Sequence, residues 1–489
     1  MTAAFPSTST MFRDALHSVR AFPLPVPEPA PLFSLPPTRL AGTRAEAGQP
    51  TGPPDDAWAT RDAILHRSTS VAEVVARCKQ RIAAHSARLG AFEIISDVDA
   101  EAALLEHEAY RGRALGDLHG VPISVKDVID VAGLPTTGSS AALPARFPSA
   151  DATAVARLRA AGALIMGKTM THEFALGVTS PASRNPWDET RVPGGSSGGS
   201  AISILTGMAF ASLATDTRAS VRIPAALTGG VGLCPSPGLV PRDGWITLSW
   251  SMDDLAPMAK SVRDIALLMD VLTGGGTTFR SGLPADAKGL RLAYADPFLD
   301  GAAPGVRDVF QRGLDVAAQA GAAIVRSSAP TANELALANA VGMVISRAEA
   351  RQYHVESGTD TGRCTPEVRE QLEEAAHVTA ADYIRALRLR AWLYERLTAP
   401  FDETDFLIMP TSKVVAPPRA QADGYLLLLS ENAVPWSLVG LPAISIYAGQ
   451  AEGLPVGLEI VGRQGEDSRL LGAAYALERV LPPMPAWAP

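Results

Sequence analysis

Apolar positions take on a regular period only after about residue 57. Behind Ser70, the residues Val74, Val75, Cys78 and Ile82 recur at the spacing that lines one face of a helix, and Ser70 followed by Glu73 is a helix-start signature. Ile123-Ser124-Val125 and Ala163-Leu164-Ile165-Met166-Gly167 are apolar runs of strand length, and the helical pattern Thr153–Ala160 leads into the second. Ala201–Ala214 is apolar but broken by Ser203, Thr206, Gly207 and Ser212, which predicts a buried helix passing into a buried strand. Ser261–Leu272 is amphipathic with helical period and stops at Gly274-Gly275-Gly276. Further strands are predicted at Leu290–Ala295, Ala322–Val325, Phe406–Met409 and Ala443–Ala448, with helical patterns Val306–Ala318 and Pro366–Arg396 between them. Strands alternating with helices predict an α/β fold, layered α/β/α, in which residues 57–489 form one domain. There is no internal repeat.

Residues 1–56 have a different texture. Phe22-Pro23-Leu24-Pro25-Val26-Pro27-Glu28-Pro29 and Pro50-Thr51-Gly52-Pro53-Pro54 favour extended, solvated backbone, and only Met11–Val19 has the pattern of a short amphipathic helix. A poorly ordered tail, or an arm lying on the surface and dispensable for chemistry, is expected. No basic start, apolar core and small-residue cleavage site succeed one another here, so no export signal is expected.

Composition narrows the function class. Of 489 residues, 47% are apolar and only 19% charged, which implies a large buried interior. A net charge of -8 argues against a nucleic-acid or anionic-membrane partner. The longest apolar run is too short and too polar to span a bilayer. Cys78, Cys234 and Cys364 are far apart and form no Cys-x-x-Cys pair, so neither a disulfide framework nor a zinc ribbon is indicated and a reducing, cytoplasmic setting is expected. No His-Glu-x-x-His pair exists, and neither metal nor cofactor is called for.

The candidate chemistry lies in three segments. Gly194-Gly195-Ser196-Ser197-Gly198-Gly199-Ser200-Ala201 and Asp216-Thr217-Arg218-Ala219-Ser220 each place a serine on a turn of small residues, and Lys126 follows the apolar strand that begins at Val121. Amide hydrolysis needs a nucleophile, a base that returns the proton to the leaving nitrogen, and donors for the developing oxyanion. A lysine serves as base only when neutral, which its apolar neighbours Ile123, Val125, Val128 and Ile129 favour. The alternative for Lys126 is a buried ion pair with Asp127 or Asp130. The glycine string lacks the Lys-Ser/Thr of a phosphate loop, and its apolar flanks argue against a linker.

In order and context, these segments resemble the amidase signature family. Supporting matches are Gly167-Lys168-Thr169-Met170-Thr171-His172-Glu173-Phe174, Asn185-Pro186-Trp187, Trp250-Ser251-Met252-Asp253, Gly440-Leu441-Pro442-Ala443-Ile444 and Gly453-Leu454-Pro455-Val456-Gly457-Leu458, so the resemblance runs from about residue 60 to the end. It implies a metal-independent Ser–(cis-Ser)–Lys triad on a central mixed sheet. Lys126 would be the base, Ser196 the bridging serine after a cis Gly195–Ser196 peptide, and Ser220 the nucleophile. Backbone amides of Thr217, Arg218, Ala219 and Ser220 would form the oxyanion hole. The implied activity is cleavage of a linear carboxylic amide through a Ser220 acyl-enzyme. A carbamate or ester hydrolase, or an amidotransferase-type subunit needing a partner, remain alternatives. The implied ligand is a small amide or carbamate, and a homodimer is compatible with the sequence.

There are departures from the family pattern. Arg218 and Ala219 stand where the family usually has two glycines, and Cys234 stands where it usually has lysine, read as a core substitution. Arg218 is either an anchor for a substrate carboxylate or carbonyl, or a structural salt bridge pointing away. His172 could suggest a Ser-His pair, but no matching order of Asp and His accompanies it. The substrate pocket is expected from segments outside the motifs, such as Ala338–Tyr353 and Tyr425–Val434.

Overall fold

Pro122–Lys126 (β2), Leu164–Thr169 (β3) and Ala211–Asp216 (β4) are buried at every position, the mark of strands covered on both faces. The computed structural model describes residues 8–23, 56–143, 146–284 and 286–488. Among these, β2–β4 join Phe92–Ile95 (β1), Val231–Cys234 (β5), Asp254–Ala259 (β6), Arg291–Ala295 (β7), Ala323–Ser327 (β8), Phe406–Pro410 (β9), Ala443–Ala451 (β10) and Leu454–Val461 (β11) in one sheet. Its order is β1-β3-β2-β4-β6-β5-β10-β11-β9-β7-β8. β2 runs parallel to β3 and β4, and β7 runs parallel to β8 and β9, whereas β4–β6, β5–β6, β5–β10, β10–β11 and β9–β11 are antiparallel. The sheet is therefore mixed, and helices on its faces complete the expected α/β/α layering.

Close helix–sheet packing fixes the centre. The helix Arg222–Thr228 lies against β11, where a Cβ on Gly457 would come within 2.6 Å of Ala226 Cβ. A side chain at 457 would push that helix away from the sheet. The pattern expected over Pro366–Arg396 is two helices, Pro366–Ala375 and Ala380–Thr398, because Thr379 and Asp382 form a capping box that starts the second.

The N-terminal segment departs from the tail expectation. Thr8–Ala21 is a helix whose apolar face (Phe12, Ala15, Leu16 and Val19) is buried among residues of the helices Ala332–Glu356 and Ala380–Thr398. Burying Phe12, Leu16 and Val19 contributes roughly 1.5–3 kcal/mol each before entropy is counted. Arg20 pairs with Asp382 at 2.7 Å, and Arg385 donates to the Val19 carbonyl at 2.7 Å. The proline-rich stretch 24–55 lies outside the described residues. No helix among the described residues is long and apolar enough to cross a membrane.

Candidate active site

The parallel strands β2 and β4 bring Lys126 beside the two serine turns. Lys126 is the last residue of β2 and fully buried. Its Nζ donates to Ser196 Oγ at 2.7 Å and to Thr215 Oγ1 of β4 at 2.9 Å. Burial lowers its pKa to about 7, only partly opposed by the charges of Asp216 and Asp253. Neither aspartate next to it in sequence pairs with it. Asp127 accepts from Lys168 at 2.9 Å, and Asp130 pairs with Arg146, so the ion-pair alternative for Lys126 is not what the fold adopts. Successive strand residues face opposite ways, which separates Lys126 from the Asp127 side.

Ser196 is held by its backbone. The Gly195–Ser196 peptide is cis. The Ser196 carbonyl accepts from Thr171 Oγ1 at 2.9 Å, the His172 N–H at 3.0 Å and Ser180 Oγ at 3.1 Å. Gly195 fits because a Cβ there would sit 2.7 Å from the Thr179 nitrogen. The helix Gly198–Leu205 leaves directly from this turn.

Ser220 sits on the turn between β4 and the helix Arg222–Thr228. Asp216 organises that turn: its carboxylate accepts from the Ala219 N–H at 2.8 Å and the Val221 N–H at 3.2 Å. Arg222 fixes Asp216 through Nε at 3.1 Å, donates to the Ala433 carbonyl at 2.9 Å and also pairs with Glu459. Burial works to raise the Asp216 carboxyl, but the Arg222 charge and the N–H groups it accepts from hold it below its usual range, while burial raises Glu459 to about 7. Thr217 Oγ1 donates to Asp253 at 2.6 Å, fixing the start of the same turn.

The two turns meet through backbone, the Ser197 N–H donating to the Ser220 carbonyl at 3.2 Å. Lys126 and Ser196 are thus in direct contact, whereas the Ser220 hydroxyl, beside them, makes no hydrogen bond among the described residues. Catalytic hydrogen bonds are often completed only with substrate present.

One of the amides expected to face an oxyanion is already engaged. The Ala219 N–H is committed to Asp216, which removes it from the set expected to meet an oxyanion. The amides of Thr217, Arg218 and Ser220 donate to no turn, loop or side-chain acceptor among the described residues. Ala219 also holds a φ of 70°, so the left-handed backbone that glycine normally supplies is kept with a methyl group in place. His172 does not approach Ser220 as a base; its Nε2 lies 3.4 Å from Glu367.

Arg218 makes no salt bridge among the described residues, and Asp216, two residues before it, pairs with Arg222. It lines a cavity of about 350 Å³ with Arg347, Asn339, Met343, Leu427 and Glu431, residues of the two segments expected to build a pocket. Met11 and Ala15 of the Thr8–Ala21 helix also line it. The wall at Gly177–Val178 adjoins Thr179, which packs on Gly195, and Arg218 on the same wall lies two residues before Ser220. Sequence reasoning passed over Thr171, Ser180, Thr215, Asp216 and Asp253; Asp216 opens the turn motif and Asp253 closes Trp250–Asp253, so both had a signal. Cys234 is buried on β5, as a core substitution requires.

Comparison with known proteins places this sequence and fold in one family. The family profile described as Amidase matches residues 73–471. A glutamyl-tRNA(Gln) amidotransferase subunit of Chloroflexus aurantiacus is 35% identical over 465 residues, covering 86% of this chain and 96% of that protein. A crystal structure of an amidase superposes with a TM-score of 0.80 at 33% identity, covering 87% of this chain and 100% of the other. The peptide amidase of Stenotrophomonas maltophilia superposes with a TM-score of 0.75 at 28% identity, covering 88% of this chain and 98% of that one. A buried lysine joined to a serine turn, an 11-stranded mixed sheet and a family match spanning most of the sequence agree, and the chain belongs to the amidase signature family.

Proposed function

We propose that the chain hydrolyses a small linear carboxylic amide through an acyl-enzyme on Ser220, with Ser196 as proton relay and Lys126 as base. The observation that carries this reading is the fully buried Lys126 amine, 2.7 Å from Ser196 Oγ and without a carboxylate partner. Near neutral pH such an amine has a large neutral fraction and a free lone pair. Lys126 Nζ takes the Ser196 proton as Ser196 takes that of Ser220, whose Oγ bonds to the substrate carbonyl carbon. The Thr217, Arg218 and Ser220 amides are the donors left for the oxyanion. The C–N bond breaks as the proton returns through Ser196 to the leaving nitrogen, and water then releases the acyl group by the same route.

Labelling with a serine-directed fluorophosphonate and peptide mass spectrometry should place the adduct on Ser220. An adduct on Ser196 or Ser197 would overturn the assignment.

The same machinery suits a carbamate or an ester, and a panel of amides, anilides, carbamates and esters separates these. Identity to an amidotransferase component favours a second reading, in which the amide group is delivered to a partner's substrate. Hydrolysis of free amides by the isolated chain argues for the first reading; glutaminase activity that appears only with a partner argues for the second. Buried free thiols at Cys78, Cys234 and Cys364 suit a reducing, cytoplasmic setting.

A further inference from the structure

We propose that Arg218 and Arg347 form a carboxylate-binding site, so that the amide cleaved at Ser220 belongs to a short molecule carrying a free carboxylate. This rests on the reading of Ser220 as nucleophile and adds the substrate's charge and size.

The two guanidiniums share one cavity. Arg218 enters it from the turn two residues before Ser220, and its only exposure is partial. Arg347 reaches it from the helix Ala332–Glu356 and is 5% exposed. The Arg218 Nε is buried without a hydrogen-bond partner among the described residues. Neither arginine makes a hydrogen bond or ion pair there.

Three of the carboxylates around them are engaged elsewhere, and the fourth, Asp14 on the cavity wall, is exposed to solvent on the first helix. Asp216 is held by Arg222. Glu431, on the cavity wall, pairs with Lys413 at 2.8 Å. Glu367 is bound to His172 and acts on Arg347 only from a distance. Burial and the charge of Arg347 lower Arg218 to about 9, and burial lowers Arg347 to about 10, so both remain cationic at neutral pH.

An unpaired buried cation is costly, and two lining one cavity are costlier. A carboxylate entering the cavity relieves both, because each planar fork matches its oxygens. The wall is mixed: Met11, Ala15, Leu176, Val178, Met343 and Leu426 supply an apolar part that suits a short aliphatic chain between carboxylate and amide, beside polar residues such as Asn339, Gln371 and Ser430. A volume of about 350 Å³ is at the small end of ligand cavities. Monoamides of dicarboxylic acids combine these features. Arg218 also stands where the family usually has glycine, so the site would be a property of this chain rather than of the shared machinery.

The test compares kcat/KM of the full chain for succinamate, glutaramate and adipamate with that for uncharged alkanamides of the same length. The wild type should favour an anionic amide at least tenfold. Arg218→Met and Arg347→Met should collapse that ratio towards one, and Arg347→Lys should restore part of it. No anionic preference in the wild type, or equal losses on both substrate types in the variants, would overturn the proposal.

Calorimetric binding of glutarate and adipate gives a readout that needs no turnover. Binding weakened at least tenfold by Arg347→Met supports the site; absence of binding to the wild type refutes it. Fluorophosphonate labelling tests the mechanism separately. A labelled Ser220 without anion preference defeats only the carboxylate site, and dicarboxylate binding with an unlabelled Ser220 defeats only the mechanism.

Discussion

Lys168 Nζ lies 2.9 Å from Asp127 Oδ1, with both side chains fully buried, and this pair occupies the carboxylate adjacent in sequence to Lys126. Lys168 also donates to Thr136 Oγ1 at 3.1 Å and to the Pro135 carbonyl at 3.2 Å, and burial still lowers its pKa. One buried lysine is therefore matched to an anion while the other is left to neutral hydroxyls. Replacing Lys168 by Met strands Asp127 in the core and should cost about 3–5 kcal/mol. Equal denaturation midpoints for variant and wild type would show that the pair contributes nothing.

Activity should rise with pH through about 7, where Lys126 loses its proton. Below that value the amine is charged and cannot accept the Ser196 proton, so the acid limb of kcat/KM belongs to this group. Lys126→Met should lower turnover by about 10³-fold or more. Its melting temperature should not fall, since the desolvated amine disappears with the side chain. An unchanged acid limb in the variant would assign that titration to another residue.

Asp216→Asn removes the charge opposite Arg222 and weakens the acceptor of the Ala219 and Val221 amides. A loss of about 3 kcal/mol is expected, together with slower labelling of Ser220. Chemical denaturation and labelling rates measure the two effects. Full stability with normal labelling would mean that the turn holds its shape without the aspartate.

Phe12→Ala should weaken docking of the Thr8–Ala21 helix by about 3 kcal/mol. Hydrogen exchange should speed up within residues 8–21 and on the facing side of the helix Ala332–Glu356. KM should rise more than kcat falls, because that helix walls the cavity without touching the serine turns. A large fall in kcat at constant KM would contradict this division.

What the sequence disclosed depended on how local each signal was. β2 and the helix Val262–Leu272 were legible because an apolar run and a Ser261 cap lie within a few residues. β11 was not read as a strand: Pro455 and Gly457 interrupt its pattern, and only contact with the helix Arg222–Thr228 explains the glycine. The Thr8–Ala21 helix has a readable apolar face, but its partners begin at residue 332, so burial could not be inferred locally. At the site, the resemblance pointed to Lys126, Ser196 and Ser220. The commitment of the Ala219 amide to Asp216 and the meeting of Arg218 with Arg347 depend on geometry that spacing does not encode.

The docking of the first helix also sets an order of assembly. Its neighbours are the helices Ala332–Glu356, Pro366–Ala375 and Ala380–Thr398, so in a chain made from its N-terminus it waits for residues beyond 332 before it has a surface to bury. By then Lys126, Ser196 and Ser220 have all been synthesised with the strands that carry them. The serine turn also waits, because Arg222 behind it is held by Ala433 and Glu459. The segment made first is thus among the last to find its place, and it arrives together with the cavity wall that it completes.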